Sequence, residues 1–375
     1  MPQRELYIDR LRTAMTVLVI YCHAAMTYGG NGKWFYREIA PSARPTSILF
    51  TLFIATSQAY LMGFFFLLSG YFTPGSLNRK GPARFLLDRF LRLAIPLLVF
   101  GFFLGPLTAT LAAKAQGHGM RGTLIFLLRK GSFINGPLWF AEALLIFCVA
   151  YCLWRSVAAH WTRSAPAPKR ASLPIPSPRA WLISAFGVGL GALVLRSWFP
   201  LEARFLGLWI GDFSSYIFLF ALGVVAWRSN WLSQLTWQQA RPWVIAACIA
   251  WPILPIGFLL SGLADGKTAT LGAFSWPVVL LDFWEPVLAW GLISGLLVFF
   301  RSRFNHPSAS WTWLGRRAYA AYILHAPVLV GVSVLAHNWQ APAMLKFGVI
   351  GTLGCALTWL AADPFVRIPG IRRIV

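Results

Sequence analysis

The stretch Arg10-Leu-Arg12-Thr-Ala-Met-Thr-Val-Leu-Val-Ile-Tyr21-Cys-His23 begins the first apolar segment of the chain. Arginines lie at its start, and a histidine lies near the middle of the apolar segment. On an α-helix, the separation of Arg12 and His23 corresponds to about 16 Å of rise and about three turns, so both side chains point to about the same face. An imidazole in hydrocarbon is costly unless it is partnered or lines a polar cavity. The stretch therefore indicates a helix with one polar wall.

The composition is typical of a polytopic integral membrane protein. Of the 375 residues, 58% are hydrophobic, 16% are aromatic and only 12% are charged, whereas about 25% of the residues of a soluble domain are charged. Several segments reach the ~20 apolar residues that cross a bilayer. The 19 Trp and 24 Pro also fit this class, because Trp is enriched at membrane interfaces and Pro is tolerated in membrane helices. We expect an all-α fold in the lipid bilayer.

The net charge of +22 has two explanations, nucleic-acid binding and membrane topology. No basic and aromatic module lies outside the apolar segments, so the excess is better explained by the positive-inside rule and by anionic lipid, and no nucleic-acid partner is expected. The 5 Cys all fall in apolar segments without zinc-ligand spacing, which favours a packing role and predicts no metal site.

The apolar segments predict about ten transmembrane helices in a single domain over residues 1–375. Lys and Arg are distributed unevenly between the connections, with 22 of the 33 in the set that includes both termini. The richer side is expected to be cytoplasmic, so both termini should lie there. Residues 155–179 contain a Pro-rich basic stretch, which predicts an extended cytoplasmic loop. The connection 114–136 carries four basic residues and is either an outer loop or an interfacial or re-entrant segment. The predicted spans are 11–29, 46–71, 93–113, 137–154, 180–198, 209–227, 243–262, 276–300, 317–336 and 343–362.

His23 and His325 are the two histidines that fall within predicted spans. One explanation is packing, with each imidazole bonded to a neighbouring helix. The other is chemistry or transport, because ionisable groups inside a membrane are costly and usually functional. A neutral imidazole can accept the proton of an alcohol that attacks a carbonyl group.

Arg89 and Arg92 lie three positions apart beside the third predicted span, and therefore on one helical face. They are either an ordinary basic flank or a binding site for an anion. Guanidinium groups suit phosphate and pyrophosphate because they donate in a fixed planar fork.

Three acids also fall within predicted spans. Glu142 lies in the fourth, and Asp282 and Glu285 lie in the eighth. Such acids can orient a histidine, or bind a hydroxylated substrate that stacks on Trp139 and Trp284. For most tryptophans, a place in the interfacial aromatic belt is the simpler explanation.

Four stretches resemble the membrane acyltransferase-3 family, and within it the branch linked to succinylation of periplasmic glucans. The similarity runs through essentially the whole chain, and its most specific element is an arginine followed by ten residues and a histidine. The start of the fourth span is also similar, although Pro137 stands where relatives tend to have His. The four stretches are Tyr7–Arg12 with His23, Phe64–Phe72, the Arg89/Arg92 pair, and Ala318–Pro327.

The resemblance implies an enzyme in a bacterial inner membrane, with no permanently bound cofactor and with acyl-CoA, either succinyl-CoA or acetyl-CoA, as co-substrate. Its acceptor would be a glucan or another envelope carbohydrate. It implies a catalytic role for His23 with Arg12, and acyl-CoA binding by Arg89 and Arg92, to which we add Arg10. The expected carbohydrate-binding residues are Glu142, Trp139, Asp282, Glu285 and His325. The competing hypotheses are a transporter or flippase of an anionic or glycan substrate and a receptor without chemistry; the oligomeric state stays open.

Overall fold

The computed structural model describes residues 5–161, 173–200, 203–260, 274–371 and 374. Over these residues the chain is α-helical, with short π and 3₁₀ segments and no β-strand. The helices are α1 (Leu6–Thr27), α2 (Pro45–Lys80), α3 (Pro82–Arg89), α4 (Ile95–Val99), α5 (Gly105–Ala115), α6 (Met120–Arg129), α7 (Trp139–Trp161), α8 (Pro178–Trp198), α9 (Phe213–Ser229), α10 (Trp231–Gln234), α11 (Trp237–Ala250), α12 (Ile253–Leu260), α13 (Trp276–Arg303), α14 (Ala309–Leu335) and α15 (Ala343–Arg367).

Nine helical segments in the described part of the chain are long and apolar enough to cross a membrane. This finding confirms the prediction of an all-α polytopic membrane protein. One of the nine, Pro82–Ala115, runs through α3, α4 and α5. Its two π-helical turns, Phe90–Ala94 and Phe100–Leu104, each lie just before a proline, which cannot donate a backbone hydrogen bond.

Helix α1 corresponds to the first of the ten predicted spans but is not among these nine. Its 22 residues would measure about 33 Å, enough to cross the hydrocarbon core. Its composition is more polar, because it carries Asp9, Arg10, Arg12 and His23. Helices α2, α13, α14 and α15 all pack against α1. Protein therefore surrounds this helix and shields its polar side chains from lipid.

Helices α2 and α9 approach each other closely. A Cβ atom on Gly70 would lie 2.1 Å from the carbonyl oxygen of Phe220, and one on Gly223 would lie 2.1 Å from that of Leu67. Any larger residue at either position would separate the helices, as is typical of small-residue packing in membranes. The Ser-Gly pair at 69–70 thus permits a close helix contact.

The connection 114–136 fits the interfacial alternative of the sequence expectation, whereas the predicted loop 155–179 departs from its expected start. Residues 120–129 form helix α6, none of whose residues is buried, and its exposed Ile125, Phe126 and Leu128 suit a helix that lies in the membrane interface. The predicted loop 155–179 begins later than expected, because α7 continues to residue 161. Residues 173–177 are non-helical and α8 starts at residue 178, whereas the centre of the Pro-rich stretch lies outside the described residues.

Candidate active site

Three aromatic rings meet at the C-terminal half of α1, and we refer to Trp34, His23 and His325 as the ring stack. The His23 ring lies 3.8 Å from the Trp34 ring, with an interplanar angle of 8°. The His325 ring lies 5.3 Å from the His23 ring, with an angle of 7°. The rings come from α1, from the connection between α1 and α2, and from α14. The structure thus brings together the two histidines that the sequence singled out.

The hydrogen bonds of His325 define its tautomer. Its Nδ1 atom lies 2.6 Å from the carbonyl oxygen of Tyr322, and because a carbonyl oxygen only accepts, Nδ1 carries the proton. In a neutral imidazole, Nε2 then holds a free lone pair. The side chain is 0% exposed, and this Nε2 atom has no partner among the described residues.

The ring stack contains two further buried nitrogens without a partner in the described part of the chain, Nδ1 of His23 and Nε1 of Trp34. An unpaired buried donor or acceptor costs about 1–3 kcal/mol. Three such atoms on adjacent rings are therefore poorly explained by packing alone. The arrangement suits a site that receives the polar groups of a substrate.

Helix α14 is held beside the start of α7 by Tyr322. Its hydroxyl donates to the carbonyl oxygen of Pro137, and its ring packs on Phe140 at 6.4 Å. Pro137 thus contributes its backbone carbonyl to the contacts beside the ring stack.

The connection that carries Trp34 is tied to helices α1 and α15 and to the turn that follows α14. The backbone N–H of Glu38 donates to the carbonyl oxygen of Thr27 over 2.9 Å. The Glu38 carboxylate pairs with Lys346 of α15, and both side chains are more than nine-tenths buried. The Tyr36 hydroxyl lies 2.8 Å from Nδ1 of His337. Burial, reinforced by the nearby Glu38 carboxylate, raises the pKa of Tyr36, so this hydroxyl stays protonated at neutral pH.

Arginines gather at the other end of α1. Arg12 lies in electrostatic range of Arg89 and over the ring of Phe72 at 5.7 Å. Arg92 is exposed, and its backbone carbonyl accepts a hydrogen bond from Tyr319 over 2.6 Å. Two cations that repel each other favour an anion between them. The structure therefore places Arg12 in electrostatic range of Arg89 and leaves Arg92 exposed at the surface.

Arg10 does not join this group. Its side chain is 3% exposed, and its guanidinium donates to the carbonyl oxygens of Phe304 and His306. The residue connects α1 to the turn between α13 and α14. These bonds indicate a structural contact in place of the expected contact with a phosphate group.

Asp282 and Glu285 surround a cation that our sequence reasoning overlooked. Arg196 of α8 is 1% exposed; it pairs with Asp282, with Asp212 over 2.7 Å and with Glu285 over 3.0 Å. We call these four residues the ionic cluster. Neither histidine of the ring stack contacts a carboxylate among the described residues, so the expectation that an acid orients a histidine is not met there.

Glu142 and Trp139 lie at the N-terminal end of α7, apart from these charges. The Glu142 carboxylate accepts a hydrogen bond of 2.9 Å from the side chain of Asn135. Trp139 packs at 5.6 Å on Tyr216, which is in electrostatic range of the ionic cluster. Trp284 is a packing residue, because it is 3% exposed and its N–H donates to Ala250 over 2.8 Å.

The order of the helices in the chain indicates on which side of the membrane the ionic cluster and the arginines lie. If each spanning helix crosses the bilayer, the C-terminal ends of α1 and α8 and the N-terminal ends of α7 and α13 share one side. The ionic cluster, Glu142 and the loop that carries Trp34 therefore lie toward one surface, and Arg12 and Arg89 lie toward the other.

Three residues of this region escaped the sequence reasoning, namely Trp34, Arg196 and Lys346. Arg196 had a readable signal, because an arginine inside a predicted span requires a partner. Trp34 and Lys346 had none, since a loop tryptophan and a lysine near a helix end are ordinary features of membrane proteins.

A family model described as an acyltransferase domain, that of the acyltransferase-3 family, matches residues 5–363. Because this match covers nearly the whole chain, the protein belongs to this family of membrane acyltransferases. No curated protein and no solved structure matches the chain significantly.

Proposed function

We propose that the protein transfers an acyl group, succinyl or acetyl, from cytoplasmic acyl-CoA to a hydroxyl of a periplasmic or cell-envelope carbohydrate, in a bacterial inner membrane. The observation that carries this proposal is the pair of imidazoles in the ring stack, whose nitrogens His23 Nδ1 and His325 Nε2 are buried and unpartnered. A site that activates a hydroxyl needs such a lone pair inside a water-poor environment.

His23 is the base in this proposal. It accepts the hydroxyl proton as the oxygen attacks the thioester carbonyl, and it returns the proton to the departing thiolate. The acyl group passes directly to the acceptor without an acyl-enzyme. His325 lies beside it with its Nδ1 proton committed to Tyr322, so its free nitrogen is available to bind the acceptor hydroxyl.

The two ends of α1 suit the two substrates. Arg12 and Arg89 at one end would hold the phosphates of CoA, and Arg92 beside them would extend this contact toward the surface. About 16 Å of helix separates Arg12 from His23, a span that an extended pantetheine arm can cover. Glu142 and Trp139 at the opposite surface suit a sugar. The partly exposed Glu285 lies toward the same surface as a further acceptor, whereas Asp282 is fully buried against Arg196.

A transporter or flippase is the second candidate, and the ionic cluster is the observation that favours it. An arginine with three acids among membrane helices is also expected where a charged substrate crosses. A transporter would move its substrate without releasing CoA, so one assay separates the two hypotheses.

The test uses the full-length protein in lipid nanodiscs with succinyl-CoA or acetyl-CoA and a glucose oligosaccharide, and it measures the release of free CoA thiol. We expect His23→Ala to lower kcat about 10²–10⁴-fold, the usual worth of a general base. Cys22→Ser is the matched control. Cys22 is adjacent, buried and a potential nucleophile, but its side chain points ~100° away around the helix, so this variant should stay near wild type.

Near-full activity of a well-folded His23→Ala protein, or a labelled acyl group trapped on Cys22, would refute this mechanism. A separate experiment, mass spectrometry of envelope glycans from cells with and without the protein, would identify the acyl group and the acceptor.

A further inference from the structure

Trp34 covers one face of the imidazole of His23, the base of the proposed function. The centroid distance of 3.8 Å and the angle of 8° describe face-to-face stacking, and the same indole lies 6.0 Å from the His325 ring at 12°. The Trp34 ring therefore lies directly against the imidazole of His23 and close to that of His325.

The indole N–H of Trp34 is buried and has no acceptor among the described residues. Unlike the nitrogens of a histidine, this group donates under all conditions. Near it lie His23 Nδ1 and His325 Nε2, which are also unpartnered. One donor thus lies on a ring that is stacked with two imidazoles, each of which has a buried, unpartnered nitrogen.

The loop that carries Trp34 is also held by contacts outside the ring stack. The bonds from Glu38 and Ile39 to the Thr27 carbonyl, of 2.9 and 3.1 Å, fix the path of the loop against α1. The buried Lys346–Glu38 pair fixes it against α15. A donor held in this way is preorganised, which is the property that makes a hydrogen bond effective in a transition state.

We infer that Trp34 is a catalytic residue whose indole N–H donates to the thioester carbonyl oxygen. This role rests on the proposed function. When the acceptor oxygen bonds to the carbonyl carbon, the carbonyl electron pair moves onto that oxygen, and the N–H of Trp34 stabilises the developing negative charge. Collapse of this intermediate re-forms the carbonyl group and expels the CoA thiolate, which takes the proton from His23.

The test compares two replacements that keep an aromatic side chain at position 34 and remove the N–H donor. Trp34→Phe retains an aromatic face against His23, and benzothienylalanine at position 34 retains the two-ring shape with sulfur in place of N–H. Each should lower kcat for CoA release about 10²–10³-fold, the usual effect of removing one oxyanion donor, with little change in the KM for acyl-CoA. Trp243→Phe is the matched control, because Trp243 is another buried tryptophan with an unpartnered N–H but lies outside the ring stack, and this variant should retain wild-type kcat.

A binding measurement makes the test independent of turnover. It compares acetonyl-CoA, a ketone analogue with a carbonyl oxygen, with propyl-CoA, which lacks that oxygen. Wild type and Trp243→Phe should prefer the ketone about tenfold, and both position-34 variants should lose that preference. An unchanged preference in a folded position-34 variant, or no preference in the wild type, would overturn the role of Trp34 alone. Failure of the wild type to bind either analogue would overturn the proposed function as well.

Discussion

Replacing Arg196 with Met removes the cation that the three acids of the ionic cluster share. The Asp282 side chain is 0% exposed, whereas those of Glu285 and Asp212 are 20% and 37% exposed. The two partly exposed carboxylates can turn toward solvent, but that of Asp282 cannot. Loss of one partner of a buried pair typically costs about 3–5 kcal/mol, because it leaves an uncompensated charge.

That cost is large enough to be measured by thermal unfolding. Domains of 150–250 residues lose about 2–4 °C of Tm per kcal/mol, and larger chains lose less. We therefore expect Arg196→Met to lower the unfolding midpoint in detergent micelles by roughly 5–10 °C. Adding Asp282→Leu should recover most of the loss, because it removes the stranded charge and replaces the pair with apolar side chains.

The exposed pair Lys80–Asp88 provides the control. Its side chains are 38% and 36% exposed, and a pair of this kind contributes about 0–1 kcal/mol. Lys80→Met should therefore leave the midpoint nearly unchanged. The reasoning is refuted if Arg196→Met costs no more than Lys80→Met, or if the double variant with Asp282→Leu is less stable than the single variant.

Two further predictions concern acyl-CoA binding and topology. Replacing both Arg89 and Arg92 with Gln should weaken acyl-CoA binding by about 1.5–3 kcal/mol for each charge-assisted bond lost. The control Arg84→Gln, at an exposed position on the same helix, should bind acyl-CoA as the wild type does. Equal affinity of the double variant and the wild type in a direct binding assay would show that these arginines do not bind the phosphates. Both termini should be cytoplasmic, because the connections on their side carry the larger share of Lys and Arg, and a C-terminal reporter fusion that is active only in the periplasm would contradict this topology.

The sequence predicted most of the elements that build the site, because their signals are local. Hydropathy over ~20 residues identified the spans, and nine segments confirm the membrane class. The polar first span was recognised from its arginines and His23. Its central place in the bundle was not, because that depends on which helices pack around α1.

Contacts between residues that are far apart in the chain could not be predicted from the sequence. Arg10 and Arg12 are two positions apart on one basic stretch, yet Arg10 binds carbonyl oxygens of the turn after α13, whereas Arg12 lies in electrostatic range of Arg89. Asp282 and Glu285 were recognised as costly acids, but their cation is Arg196, 86 positions from Asp282. Periodicity assigns a side chain to a face of its own helix and contains no information about the neighbour of that face.

The sequence by itself thus determined the all-α membrane class, the arginine-to-histidine spacing of α1 and the resemblance to an acyltransferase family. Only the tertiary structure decided that His23 lies beside His325, that the Lys346–Glu38 pair holds the loop with Trp34 over the imidazole, and that three acids share Arg196. The physical reason is that bilayer thickness and helix pitch act on contiguous residues, whereas the site is made by contacts between helices that are far apart in the chain.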